Sequence, residues 1–189
     1  MTDKRTQLLE AAIDLFAQEG FWNTPTARIA KHAGVATGTL FNYFESKDAL
    51  IDAVFLQLKG ELGAAMLHRL PQVAEMRPVV EHIWFQYFNW ALEHQRRYQL
   101  MHQLKLSKLV SADAKEQHMA EFPVLYGDLF AQAEAEGLLA EYPIDFVLSS
   151  MEAQLDAAIQ YAMNQALTTV QATRLNMQSF NIFWNGITT

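Results

Sequence analysis

Cysteine is absent from this 189-residue chain, which excludes a disulfide framework and any thiolate metal site. A reducing cytoplasm is compatible with that absence, and a cytoplasmic location is the expectation. The chain also lacks any apolar run approaching the roughly 20 residues that span a membrane. Its N-terminus, MTDKRTQLLEAAIDLF, alternates charged and apolar residues where a signal peptide has an unbroken apolar core. Catalytic signatures are missing too. The six histidines are His32, His68, His82, His94, His102 and His118; none starts a His-Glu-x-x-His motif, and no Glu-x-x-His pair suggests a di-iron bundle. Glu81–His82 and Glu93–His94 are sequence neighbours and so point in different directions on a helix. No phosphate-cradling glycine loop or nucleophile elbow occurs. The expectation is a protein that is not an enzyme and needs no metal or cofactor.

Positive charge is scarce as well. The net charge is −7, and most of it lies late in the chain. Residues 1–50 carry Lys4, Arg5, Arg28, Lys31 and Lys47 against Asp3, Glu10, Asp14, Glu19, Glu45 and Asp48, a net of −1, which leaves −6 for the remainder. Neither part is a basic surface overall, so any contact with nucleic acid has to come from local placement of a few cations.

Hydrophobic residues make up 51% of the chain, enough for a sizeable core. The length suits one compact domain with a smaller appendage, or two small domains. Leu8, Leu9, Ala12, Ile13 and Phe16 recur at helical spacing, which predicts a helix over 4–19 ended by Gly20. Thr24 followed by Pro25 reads as a helix start, with the threonine capping free N–H groups. The next helix turns Ile29, Ala30 and Ala33 inward and stops at Gly34, after which Val35 plugs the core. A third helix runs from about Thr37 to Phe44 with Leu40 and Phe44 buried. Ser46 caps a fourth, which has Leu50, Val54 and Leu58 on one stripe and continues to about Leu70. Gly60 and Gly63 within it mark either close helix packing or a bend. Further helices are predicted at 79–94, 97–110, 113–136 (interrupted by Pro123), 144–166 and 168–186. Nothing reads as a strand, so the predicted architecture is all-α.

Residues 24–48, TPTARIAKHAGVATGTLFNYFESKD, have the outline of a helix-turn-helix DNA reader. Its second helix must enter a major groove about 12 Å wide, so its leading residues must be small and polar. Thr37, Gly38 and Thr39 meet that need. Asn42 can pair with a base edge, while the Tyr43 phenol and Lys47 ammonium can hold phosphates. Thr26 and Arg28 are candidate phosphate contacts from the preceding helix.

The pieces AAIDLF with Gly20, Thr24, IAKHAGV, GTLFNYF and SKDAL resemble the tetracycline-repressor (TetR) family of bacterial regulators over about residues 6–55. Beyond them the resemblance is one of layout. It implies an N-terminal three-helix DNA-binding domain at 1–48 and a C-terminal helical bundle for ligand binding and dimerisation at 49–189. It further implies a homodimer on a palindromic double-stranded operator, a small-molecule effector, no membrane partner, and most often repression. Three positions depart from the family's pattern. Ala36 stands where a capping serine is frequent, so the cap comes from Thr37 or is missing. Phe41 replaces a usual tyrosine. Ala27 occupies a position where some members carry a long base-reading side chain. The acidic balance and these departures keep open a second reading, a helical ligand-binding or scaffold protein that no longer reads DNA.

The resemblance also places an effector pocket among the C-terminal helices, where Trp84, Tyr87, Phe88, Met101, His102, Phe122 and Tyr126 are the candidates for lining an apolar or aromatic effector; taken singly, each reads better as core. Arg96, Arg97, Lys105 and Lys108 form a basic helix, either a solvated face or a site for an anion. The last two helices have apolar residues on more than one stripe, so they need partners on two sides. Met151, Leu155, Ile159, Met163, Phe180 and Trp184 are the candidates for a surface shared with a second subunit about a two-fold axis.

Overall fold

The computed structural model describes residues 3–73, 75–122, 129–135, 137 and 142–188. Ten helices lie among them: α1 (Lys4–Glu19), α2 (Thr26–His32), α3 (Thr37–Tyr43), α4 (Lys47–Leu67), α5 (Met76–Glu93), α6 (Gln95–Ser107), α7 (Ala112–Glu121), α8 (Leu129–Ala135), α9 (Ile144–Asn164) and α10 (Thr169–Ile187). The described residues contain no β-strand, and the fold is all-α. The region predicted as one helix at 113–136 holds α7 and α8; Pro123, expected to interrupt it, lies outside the described residues. No helix among the described residues is long and apolar enough to cross a membrane.

The chain divides into two compact units, Met1–Glu61 with His94–His118, and Leu62–Glu93 with Met119–Thr189. In the first, α1 buries Leu8, Leu9, Ala12, Ile13 and Phe16, the spacing that the sequence predicts. Each such full burial contributes about 1.5–3 kcal/mol for the larger side chains. Leu50, Val54 and Leu58 of α4 are also fully buried. Helix α6 returns to pack on α1, and one guanidinium ties three helices together. Arg97 Nη1 donates to Glu61 Oε1 at 2.8 Å, and Arg97 Nη2 donates to Glu10 Oε2. Gln57 adds a bond from Nε2 to Glu10 Oε1 at 2.6 Å. Burial alone would lower the Arg97 pKa, but the hydrogen bond to Glu10 and the charges of Glu61, Glu10 and Asp14 outweigh it, so the value is raised. Arg97 is therefore neither a solvated charge nor a vacant anion site. Its position on a basic helix concealed two acids that lie far away in sequence.

The second unit rests on rings. Trp84 of α5 stacks on Phe183 at 5.2 Å and meets Phe180 edge-on at 5.8 Å. Phe180 stacks in turn on Trp184, so α5 and α10 interlock, with α9 packed against both. Arg77 lies over the rings of Phe180 and Trp184, 5.8 Å from each centroid, and donates to Asn181 Oδ1 at 2.9 Å. A capping box opens α10: Thr168 Oγ1 accepts from the Gln171 N–H, and Gln171 Oε1 accepts from the Thr168 N–H at 3.0 Å.

Both α4 glycines fall inside the helix, but they differ. A Cβ on Gly63 would stand 2.6 Å from the Phe122 ring, whereas one on Gly60 would meet nothing within 4 Å. Close packing explains Gly63 and leaves Gly60 without a packing reason.

Candidate nucleic-acid interface

The helix-turn-helix outline forms from local rules. Gly20 ends α1 at φ 80, and its N–H donates to Phe16 O. Thr24 does not cap α2. Its hydroxyl donates back to Gly20 O at 2.9 Å, and the side chain is fully buried, closing the turn instead. The α2–α3 turn is a Schellman motif: Val35 N–H donates to Ala30 O at 2.9 Å and Gly34 N–H to Lys31 O at 3.1 Å. Gly34 sits at φ 70, where a Cβ would be strained. Val35 and Ala33, read as inward from the sequence, are half-buried. Ala36 leads into α3 with no side-chain cap, so Thr37 does not replace the missing serine. An absent cap costs roughly 1 kcal/mol.

Burial then sorts the faces of α3. Leu40 is fully buried, as is Phe44 just beyond the helix, where the Arg5 guanidinium lies over its ring at 5.4 Å. At about 100° per residue, Gly38 and Asn42 stand opposite Leu40, and both are exposed. Thr37 and Tyr43 lie about 60° to either side of Leu40 and are nonetheless exposed; Thr39 is half-buried. Phe41 is exposed too, an apolar ring at the position where the phenol is missing. Four of the five α3 candidates are thus exposed, with Gly38 and Asn42 directly opposite the anchor and small groups at the helix's leading end.

The cations are placed less freely. Arg28 is exposed but paired with Glu19 at 2.5 Å. Lys47, half-buried at the start of α4, points its Nζ at Trp22 O, 3.5 Å away. Thr26 is half-buried and Ala27 exposed. Ala27, Arg28, Lys31 and His32 line an open hollow on α2, which brings two of the five Lys and Arg side chains in residues 1–50 together with a histidine. Ser46 Oγ accepts from Ala49 N–H at 3.0 Å and caps α4 as expected. Sequence reading missed Glu19 as the partner of Arg28. An acid nine positions away, across a turn, carries no helical-spacing signal.

The effector candidates separate. Trp84, Tyr87, Phe88 and Phe122 belong to the second unit, the first three buried and Phe122 half-buried. Met101, buried, and His102, half-buried, belong to the first unit. Tyr126 lies outside the described residues. Within the second unit, the Trp84 indole N–H and Asn176 Oδ1 are buried without hydrogen-bond partners, at about 1–3 kcal/mol for each such group.

The candidate subunit surface needs correction. Leu155, Ile159, Phe180 and Trp184 are buried within their own unit, because the stripe of α9 and α10 that carries them faces α5 and the opposite helix. Met151 and Met163 are half-buried. The apolar residues that α9 leaves exposed are Phe146, Ala153, Ala157 and Tyr161, on the side away from Leu155 and Ile159 by helical angle. The large apolar residues that α10 leaves exposed are Val170, Met177 and Ile182.

The pattern of bacterial regulatory proteins of the TetR family matches residues 8–54, the segment that carries this geometry. A regulator named BetI from Klebsiella pneumoniae is 36% identical over 67 residues, 35% of this chain and 34% of its own. The match therefore spans about a third of that curated relative's length. Solved structures extend the likeness further. A TetR-family regulator from Marinobacter aquaeolei has a TM-score of 0.85 at 22% identity, covering 98% of this chain and 95% of its own, which speaks for the fold alone. A protein from Shewanella sp. PV-4, described as a TetR-family transcription regulator, reaches a TM-score of 0.89 at 33% identity and covers all of both chains. These relatives are regulators of transcription and not enzymes. With the fold, the reading helix and a full-length likeness in agreement, the chain belongs to the TetR family of bacterial transcription regulators.

Proposed function

We propose that this regulator is a homodimer that binds a palindromic operator through residues 1–48 and is released from it by a small apolar or aromatic effector bound within residues 49–189, acting most often as a cytoplasmic repressor. The observation that carries the reading is the solvent-facing surface of α3, with Asn42 and Gly38 opposite the buried Leu40. On this reading Asn42 meets a base edge in the major groove, while Thr37, Thr39, Tyr43, Lys47, Thr26 and Arg28 fix the register on phosphates. A second copy of the chain covers the exposed side of α9 and α10, where Ala153 and Ala157 permit close helix approach and Tyr161, Val170 and Met177 supply apolar contact. An effector among Tyr87, Phe88 and their neighbours would need a hydroxyl or carbonyl to satisfy the Trp84 N–H or Asn176 Oδ1. Its binding shifts the population toward a dimer whose reading heads no longer match the operator.

The test is a salt-titrated binding curve on DNA upstream of the protein's own gene and on DNA selected from the whole genome, with random DNA as competitor. Specific affinity that falls steeply with salt is expected. A Tyr43→Phe, Lys47→Ala double change should weaken it by at least an order of magnitude without altering helicity. If the unaltered chain treats specific and random DNA alike in both sets, the reading is overturned in favour of a scaffold. Replacing Met177 by Glu should convert a species of twice 21.5 kDa into monomer in sedimentation; an unchanged mass would remove this surface from the interface.

A further inference from the structure

We infer that Trp22 is an additional contact to the nucleic-acid backbone, its indole N–H donating to a phosphate oxygen; this rests on the DNA-reading function proposed above. Trp22 lies in the turn between α1 and α2 and is 65% exposed, while Trp84, Trp90 and Trp184 are at 9% or less. Single exposed apolar side chains are ordinary on protein surfaces, but this one is held in place. Its ring rests against the buried Phe21 at a centroid distance of 4.9 Å. The turn around it is pinned by Thr24 Oγ1 to Gly20 O at 2.9 Å, Asn23 N–H to Gly20 O at 3.3 Å and Asn23 Nδ2 to Glu19 O at 3.4 Å.

Its surroundings point to a polyanion. The Trp22 carbonyl accepts from Lys47 Nζ, so the residue sits at the start of α4, beside one proposed phosphate contact. On the other side of the turn Glu19 holds the Arg28 guanidinium, a second proposed contact. The turn that presents the indole is thus tied at both flanks to cations of the proposed interface, in a protein whose net charge is −7. An indole N–H is a donor and never an acceptor, and a phosphate oxygen is the complementary group. A ring with an apolar face and one polar edge suits the boundary between sugar and phosphate.

A neutral donor leaves a signature that a cation does not. It binds phosphate without displacing a counterion, so its loss lowers affinity but leaves the salt dependence unchanged. The experiment uses the full chain and duplex DNA that the unaltered chain selects from a randomised library. Trp22→Phe keeps the ring and removes the N–H. It should lower affinity about tenfold with an unchanged slope of log K on log salt, while Lys47→Ala, which removes one phosphate contact from each head of the dimer, should flatten that slope by about two units. Because the other three tryptophans are buried, the iodide-quenchable emission belongs to Trp22, and DNA should shield it. Wild-type affinity in Trp22→Phe overturns the assignment. So does undiminished iodide quenching on DNA. Loss of binding in Trp22→Ala but not in Trp22→Phe also overturns the hydrogen bond, since the ring alone would then be the contact. If the unaltered chain selects no DNA, this inference and the reading beneath it fall together, an outcome distinct from the other three.

Discussion

In the unit that contains α1 to α3, short helices are held by aliphatic side chains with buried rings such as Phe16 and Phe44 among them, and by tight turns, with the ion pairs at its edge. In the unit that contains α9 and α10, long helices are held by large stacked rings. Helices α2 and α3 have only seven residues each, too few to be stable alone. Their positions depend on few buried anchors, Ile29 with Ala30 on α2 and Leu40 on α3, and on Gly20 and Gly34. Helices α9 and α10 have 21 and 19 residues, with more apolar surface than one core can cover. A short helix with few anchors leaves its remaining faces to solvent. A long apolar helix can present several stripes, and only packing decides which of them faces inward.

The comparison can be broken most forcefully at Phe180, where rings from two helices converge. Phe180→Ala should destabilise the fold by about 3–5 kcal/mol, read from chemical denaturation. A loss near that of an ordinary surface change would show that the ring cluster is not what holds its unit. The two glycines of α4 sharpen the contrast within a single helix. Gly63→Ala should cost about 1–3 kcal/mol, because Phe122 must move, whereas Gly60→Ala should stabilise by up to about 1 kcal/mol. Equal effects in thermal melts would mean that crowding at Gly63 does not govern the site. The smallest effect is expected at the surface pair of exposed Arg28 and half-buried Glu19. Glu19→Gln should free the guanidinium and raise DNA affinity about two- to fivefold, the scale of a surface ion pair. A lower affinity would show that Glu19 positions Arg28 and does not restrain it.

This contrast also explains what was legible in the sequence. The bounds of α1 and α3 and the buried Leu40 and Phe44 follow from helical spacing and glycine punctuation, both of which act over a few residues. The surface of α3 was legible for the same reason: with Leu40 fixed inward, Asn42 has to face out. On α9 and α10 the same reasoning selected Leu155, Ile159, Phe180 and Trp184 for a partner, and the structure turns them inward. Spacing identifies stripes but does not rank them when there are several. Thr24 shows another limit. A threonine ahead of Pro25 suits a cap, but the hydroxyl found a carbonyl four residues behind it. The Arg97 cluster was illegible because its members lie on α1, α4 and α6, and no periodicity links residues so far apart.

That cluster bears on how the molecule could be taken apart. Glu10 and Glu61 are supplied by the first of their unit's two segments, and Arg97 arrives only after the chain has built α5 elsewhere. A segment severed after α4 keeps both carboxylates and loses their shared counterion, along with the helix that shelters α1. The DNA reader is therefore not a portable cassette. Grafted onto another regulator, it would need α6 carried with it, or a replacement guanidinium at the same place, before its own helices closed on themselves.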